Sequence, residues 1–151
     1  MSEAETELAS FIDKFDHRNQ ELIRGVRAAL RKELHGCCEL VWDNYNFFVI
    51  GYSPTERPSD YVVSIAASAK GVSLSFNHGA DLPDPEKVLL GTSKVNRFIR
   101  VHSIDVLTQE KIKRIIQIAR EQSAVPQPWQ CSGKLIIRSV SSKQRPRRTL
   151  G

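Results

Sequence analysis

Two polar clusters flank one short apolar segment in the first half of the chain. Residues 43–46 read Asp-Asn-Tyr-Asn, residues 53–60 read Ser-Pro-Thr-Glu-Arg-Pro-Ser-Asp, and residues 47–51 between them are mostly apolar. Carboxylate, amide, hydroxyl and guanidinium groups together supply the donors and acceptors that a polar ligand needs. We therefore expect a buried strand that carries hydrogen-bonding groups at its two ends.

Two further segments add groups of the same kind. His78 follows a strand-like run, where an exposed imidazole can face a pocket. Lys94 and Arg97 precede another run and offer donors suited to an anionic group. We predict one ligand site assembled in space from these segments; its residues are Asp43, Asn44, Tyr45, Asn46, Glu56, Arg57, His78, Lys94 and Arg97. A local role also fits, in which Glu56 pairs with Arg57 and residues 43–46 form a turn.

Motifs for catalysis are not found in the sequence. There is no G-x-S-x-G, no P-loop and no G-x-G-x-x-G, and the four histidines are scattered singly. Three cysteines, Cys37, Cys38 and Cys131, lack the C-x2-C spacing of a metal site, which predicts inert buried thiols. The pattern favours a non-catalytic module without a cofactor, which binds a small polar or anionic ligand or a protein partner.

The net charge of +5 comes from the end of the chain. Six basic residues and no acid lie in residues 123–151, so residues 1–122 have a net charge of −1. Lys143, Arg145, Arg147 and Arg148 could neutralise phosphates, which makes weak nucleic-acid binding an alternative. No aromatic residue is interleaved with them, and a solvated, disordered terminus is the interpretation that the composition favours.

Length and composition predict the class of protein. A chain of 151 residues with 40% hydrophobic residues suits one globular domain with a real core. No apolar run approaches the roughly 18 residues of a membrane span. The first residues are acidic, whereas a secretory signal begins with basic residues. We expect a cytoplasmic protein without a membrane partner.

Hydrophobic periodicity changes along the chain from helical to strand-like. Residues 3–16, 19–34 and 108–122 have helical spacing, with Ser2 and Thr108 as N-caps. Strands are predicted at residues 39–42, 47–50, 61–67, 72–76 and 98–102, with a further strand at 134–140. These elements predict an α+β domain, an antiparallel sheet of five to six strands with two N-terminal helices and one C-terminal helix on one face. The domain spans residues 1–122; a Pro-containing linker, the added strand and a basic disordered tail make up residues 123–151.

Three long motifs stand out in the chain: Tyr-Asn-x-x-x-x-Gly-Tyr-Ser-Pro-Thr-Glu-Arg-Pro-Ser (residues 45–59), His-Gly-Ala-x-Leu-Pro-Asp-Pro (78–85) and Lys-Gln-Arg-Pro-Arg-Arg (143–148). Over about residues 9–119 the chain resembles the YdhG-like family of bacterial domains of unknown function. It resembles more closely a branch of that family that carries the three motifs. The family's common Gly-x-Pro after the first strand is replaced by residues 44–46, Asn-Tyr-Asn, so the chain departs from the main pattern there.

The resemblance implies a fold akin to that of frataxin and, as a second alternative, a role in iron handling. Iron binding of that kind relies on an acidic ridge, for which Glu5, Asp13 and Asp16 of the first helix region are the candidates. Ordinary helix-surface charge explains the same residues. The resemblance implies no catalytic residue.

Overall fold

Three helices and one six-stranded sheet make up the fold of residues 2–149, the part of the chain that the computed structural model describes. The helices are α1 (Glu3–Ile12), α2 (His17–Glu33) and α3 (Glu110–Glu121). The strands are β1 (Cys38–Asp43), β2 (Phe48–Ser53), β3 (Val63–Ser68), β4 (Gly71–Phe76), β5 (Arg97–Val101) and β6 (Leu135–Val140). Among the described residues, no helix combines the length and the apolar character that crossing a membrane requires.

Capping side chains decide where the first helices begin and end. The Ser2 hydroxyl accepts the Glu5 N–H, as the sequence predicts, and starts α1. Asp16 accepts the Asn19 N–H and starts α2, so α1 ends at Ile12 and not at residue 16. The prediction for Thr108 is wrong: this residue ends a short 3-10 helix, and α3 begins at Glu110 without a side-chain cap.

The sheet has the order β5-β4-β3-β2-β1-β6. Strands β1 to β5 form an antiparallel meander, as predicted from the short turns between them. Strand β6 is parallel to β1, so the sheet is mixed and the expectation of a purely antiparallel sheet is wrong in this strand. After β5 the chain forms α3 and reaches the far edge of the sheet, which is the long connection that a parallel pair needs.

Alternation along the strands separates a core face from an outer face. Val72, Leu74 and Phe76 of β4 are buried in one core with α1, α2 and α3, whereas Ser73 and Ser75 point to the other face. The helices therefore cover one face of the sheet, as the sequence predicts. On the outer face a small second cluster, Cys38, Leu40 and Cys131 with Trp42 and Ile136, packs near β1 and β6.

The last part of the chain is folded onto the rest, up to the last described residue. In the predicted linker, the Trp129 ring is buried and the Arg120 guanidinium lies 4.4 Å from its centroid. In the predicted disordered tail, Arg147 is 4% exposed. The expectation of a disordered tail is therefore wrong for residues 141–149, and residues 150–151 lie outside the described part.

Gly36 occupies a place that another residue fills only with strain. Its φ is +95°, and a Cβ there would lie 2.8 Å from Trp129 Cβ and 2.9 Å from the Trp129 carbonyl oxygen. Gly133 also has a positive φ, +83°, but a Cβ there would have no heavy atom within 4 Å. A substitution at Gly133 therefore adds backbone strain alone, whereas one at Gly36 adds backbone strain and a steric clash.

We expect Gly133→Ala to lower the free energy of unfolding by about 1 kcal/mol, the cost of a positive φ alone. Gly36→Ala is expected to cost roughly 1–3 kcal/mol more, since the new methyl group overpacks Trp129. Urea denaturation of both variants measures the difference. Equal losses in the two proteins would show that Trp129 does not pack against Gly36 in solution.

Candidate functional site

The residues predicted to form one ligand site lie at opposite ends of the sheet. Asp43 pairs with Phe48 at one end of the β1–β2 hairpin, whereas Cys38 pairs with Ser53 at the other end. The second end continues through the pairs of Val63 with Phe76 and of Phe76 with Arg97. A strand of this length spans about 17–20 Å. Residues 43–46 are thus separated from Glu56, Arg57, His78, Lys94 and Arg97, and the prediction of a single shared pocket is wrong.

At the second end two of the predicted residues, Glu56 and Arg97, have partners outside the predicted site. Glu56 lies 2.8 Å from Lys134 Nζ, which lowers the pKa of this carboxyl, so the predicted local pair with Arg57 does not form. Arg97 donates to the carbonyls of Ser93 and Asn96 in its own loop. His78 is exposed with a φ of +54°. His78 and residues 94–97 are brought close, since Gly79 next to His78 packs against the Arg97 backbone.

Residues 43–46 instead meet the C-terminal segment. The Asp43 carboxylate is fully buried and accepts from Lys14 Nζ at 2.7 Å and from Arg147 Nη2 at 2.9 Å. The Asp43 carbonyl accepts from the Ser141 N–H and from Gln144 Nε2. These contacts join α1, the β1–β2 turn and the end of the chain; we call Lys14, Asp43 and Arg147 the clasp.

The other basic residues of the segment also have defined places. The Arg145 N–H donates to the Tyr45 carbonyl, and the Arg145 guanidinium lies 5.6 Å from the centroid of the Tyr45 ring. Arg148 donates to the carbonyls of Asp13 and Lys14 just beyond the end of α1, where cations are favourable. Lys143 is exposed. The four residues therefore do not form the free basic tail that the nucleic-acid alternative assumed.

Each acidic residue predicted to bind iron has its own partner within the protein. Glu5 forms an ion pair with Arg27 at 2.8 Å, and the hydrogen bonds from this guanidinium lower the pKa of Glu5. Asp13 pairs with Arg24 at 3.2 Å, and Asp16 caps α2. Over residues 2–149, no three His, Cys, Asp or Glu side chains are grouped so that they could hold a metal ion.

A groove of about 1270 Å³ lies beside the clasp, at the end of the sheet that carries the β1–β2 turn. It is bounded by the start of α2, the two hairpin turns, the outer face of β4 and β5, and the C-terminal segment. Its charged, aromatic and hydroxyl-bearing residues include Asp16, Arg18, Phe47, Ser68, Lys70, Ser73, Ser75, Phe98, Arg100, His102, Arg145, Arg148 and Thr149. Of the residues nominated from sequence, Asn46, Asp16, Arg145 and Arg148 belong to it.

The groove is strongly cationic. Its lining contains one carboxylate, Asp16, and five cationic side chains: Arg18, Lys70, Arg100, Arg145 and Arg148. Arg18 donates to the His102 carbonyl, and Arg148 to two carbonyls, so neither of these hydrogen bonds neutralises the positive charge. Within residues 2–149, no carboxylate lies within ion-pairing distance of Lys70 or Arg100. The arrangement favours an anionic ligand.

Among the groove residues that were not predicted from sequence are three cations and a ring, Arg18, Lys70, Arg100 and Phe98. A signal for two of them was present: in the run Arg-Phe-Ile-Arg-Val, Ile99 and Val101 are buried and alternate with Phe98 and Arg100. That alternation indicates an outer face with an aromatic ring and a cation. Arg18 and Lys70 carry no comparable signal, because only the folded chain brings α2 beside the β3–β4 turn.

A smaller cavity of about 180 Å³ at the opposite end of the sheet lies beside a buried polar network. Tyr52 donates to Glu39 Oε2 at 2.7 Å, and Arg27 donates to both Glu39 oxygens at 2.9 Å. Burial, followed by the charge of Glu39, raises the pKa of Tyr52. Glu39 is satisfied by its neighbours, and the cavity is smaller than the roughly 300 Å³ of an ordinary ligand site. We assign this network to structure.

The three cysteines are buried and free, in agreement with the predicted inert thiols. Burial raises the pKa of the Cys37 and Cys38 thiols to about 12. Since the thiolate is the nucleophile and the metal ligand, such thiols react poorly at neutral pH.

The clasp gives a prediction for stability. We expect Arg147→Met to lower the free energy of unfolding by about 3 kcal/mol, because the buried Asp43 carboxylate loses its buried partner. The matched control Arg145→Met removes an exposed cation over a ring and should cost about 0.5–1 kcal/mol. Asp43→Asn combined with Arg147→Met should recover part of the loss. Urea denaturation measures all three, and equal losses for the two single variants would contradict the clasp.

Comparison with family models, with curated proteins and with solved structures found no match to this chain. The resemblance to the YdhG-like family therefore stays a prediction, and the groove is interpreted from its own geometry.

Proposed function

We propose that the protein is a non-catalytic binding module for an anionic ligand, which it holds in the groove. The observation that carries the proposal is the charge of the lining, five cationic side chains against one carboxylate. Elsewhere in the described chain arginines lie beside carboxylates, as Arg27 does with Glu5 and Glu39. An unneutralised cluster repels itself and destabilises the fold, which favours a ligand that compensates it.

The chemistry of the lining supports binding in preference to catalysis. Guanidinium and ammonium groups hold anions by charge-assisted hydrogen bonds, and the hydroxyls of Ser68, Ser73 and Ser75 add neutral donors. His102 is the one imidazole among the lining residues, and its backbone carbonyl is held by Arg18. These groups fix and orient an anion, whereas a hydrolytic centre needs a nucleophile activated by a base.

The proposal moves the predicted ligand site to one end of the sheet and keeps the predicted ligand chemistry. We place the module in the cytoplasm, since three free, buried thiols suit a reducing compartment. Membership of the bacterial YdhG-like family is part of the same proposal and rests on the motifs at residues 45–59, 78–85 and 143–148. The iron-handling alternative is not favoured, because Glu5 and Asp13 are each paired with an arginine.

Titration calorimetry with inorganic tripolyphosphate at low ionic strength tests the proposal. We expect binding that weakens as salt is added, because exposed charges are screened. Arg100→Gln should weaken binding roughly tenfold, since a hydrogen bond to a charged group contributes about 1.5 kcal/mol. Far-UV circular dichroism confirms that each variant is folded.

Arg114→Gln is the matched control. Arg114 lies on α3, outside the groove, and pairs with Glu86 at 2.7 Å. This variant should bind tripolyphosphate as the unmodified protein does. The proposal fails if no heat is measured, or if Arg100→Gln and Arg114→Gln have the same effect.

A further inference from the structure

We infer that the ligand of the groove is single-stranded nucleic acid, whose phosphates meet the cationic side chains and whose bases stack on the exposed aromatic rings. This inference rests on the proposed anion-binding function and names the class of anion. Three features of the described residues carry it: the size of the groove, the distribution of its charges and the rings beside them.

The volume of the groove points to an extended ligand. Pockets for small molecules usually measure about 300–1000 Å³. The groove, at about 1270 Å³, exceeds that range and continues from the end of the sheet onto its outer face. A single phosphate or a mononucleotide would leave much of it empty, whereas a polymer can follow it.

The charges are spread over different elements of the fold. Arg18 comes from α2, Lys70 from the β3–β4 turn, Arg100 from β5, and Arg145 and Arg148 from the C-terminal segment. A site for one anion gathers its donors around one point. In the strand order, Arg100 lies on the edge strand β5, Lys70 at the β3–β4 turn and Arg145 beside Tyr45 at the β1–β2 turn, so the cations follow the groove across the sheet. Such a row matches a chain with regularly spaced phosphates.

One aromatic platform lies on the outer face of the sheet. Phe98 is half-buried, and the Arg100 guanidinium lies 5.4 Å from the centroid of its ring. Their cross-strand neighbours on β4 are the small residues Ser75 and Ser73. A Cβ at Gly91 would lie 3.1 Å from the ring, so this residue holds the ring closely on one side. A base can stack on the plane of the Arg100 guanidinium, which itself lies over the Phe98 ring.

Two further rings lie at the β1–β2 turn. Tyr45 is 49% exposed and Phe47 is 48% exposed, although large hydrophobic side chains are usually buried. Phe47 lines the groove, and Arg145 lies over the Tyr45 ring. No aromatic residue is interleaved with the basic C-terminal residues in the sequence. The fold supplies those rings from the β1–β2 turn and from β5.

Unpaired bases fit this arrangement better than a duplex does. Stacking on a protein ring needs a free base face, which a duplex hides within its own stack. The carboxylates of an acidic polypeptide would pair with the cations, but they offer no flat surface to stack on the rings. Because stacking accepts every base, we expect little sequence preference.

Fluorescence anisotropy with a labelled oligo(dT) of about 12 nucleotides tests the inference on the full chain. We expect binding at low salt, with log K falling linearly against log salt at a slope of about −2 to −3.5, that is roughly −0.7 for each of three to five phosphates. Arg100→Gln should make the slope shallower by about 0.7. Arg114→Gln should leave the slope unchanged.

Variants of the rings separate stacking from charge. Phe98→Leu and, independently, Phe47→Ala should each weaken oligo(dT) binding roughly tenfold and leave the salt slope unchanged. Neither should alter tripolyphosphate binding. Phe47 is exposed in a turn, so its variant remains informative if Phe98→Leu lowers stability.

The outcomes distinguish this inference from the proposed function. If tripolyphosphate binds but oligo(dT) does not, the nucleic-acid inference is wrong and the anion-binding function stands. Equal affinity for a duplex of the same length, or for polyglutamate, also overturns the inference. If neither tripolyphosphate nor oligo(dT) binds, both fail. Truncation of the C-terminal segment is not used, because it removes Arg147 together with the groove residues.

Discussion

One buried carboxylate connects the parts of this fold that the sequence keeps farthest apart. Asp43 lies at the end of β1 with no exposed surface, and a charge in that position must be neutralised by close partners. Its partners are Lys14, just beyond α1, and Arg147, near the end of the chain. The two ion pairs of Asp43 thus join the end of the first helix, the β1–β2 turn and the C-terminal segment. Because the C-terminal segment is held there, Arg145 and Arg148 lie on the wall of the groove.

The arginines of this protein differ in whether a carboxylate neutralises their charge. Arg27 is paired with two carboxylates, whose hydrogen bonds raise its pKa, and Arg147 is paired with Asp43. Arg100 lies over a ring, and Arg148 donates to backbone carbonyls. The first two stabilise charges that are already inside the protein. The second two keep their full charge at the surface, where a ligand can use it.

Much of the architecture follows from local pattern. Helical spacing predicted α1 and α2, and the alternation of residues 72–76 predicted β4 with its core and outer faces. In an antiparallel meander, the turn after β1 and the loop after β2 must lie at opposite ends of the sheet. The predicted strand order therefore already implied that residues 43–46 are far from Glu56 and Arg57. The parallel pairing of β6 with β1 and the burial of Arg147 depend on contacts about a hundred residues apart in sequence, and no local pattern encodes these.

Strand β5 shows how a short run serves the core and the groove together. Ile99 and Val101 point inward and are buried with the helices, while Phe98 and Arg100 point outward beside Ser75 and Ser73. Because successive side chains of a strand face opposite ways, the inward positions belong to the core and the outward positions to the wall of the groove. The same alternation makes the ring and the cation neighbours at a fixed spacing. A strand therefore positions Phe98 and Arg100 more rigidly than a loop would.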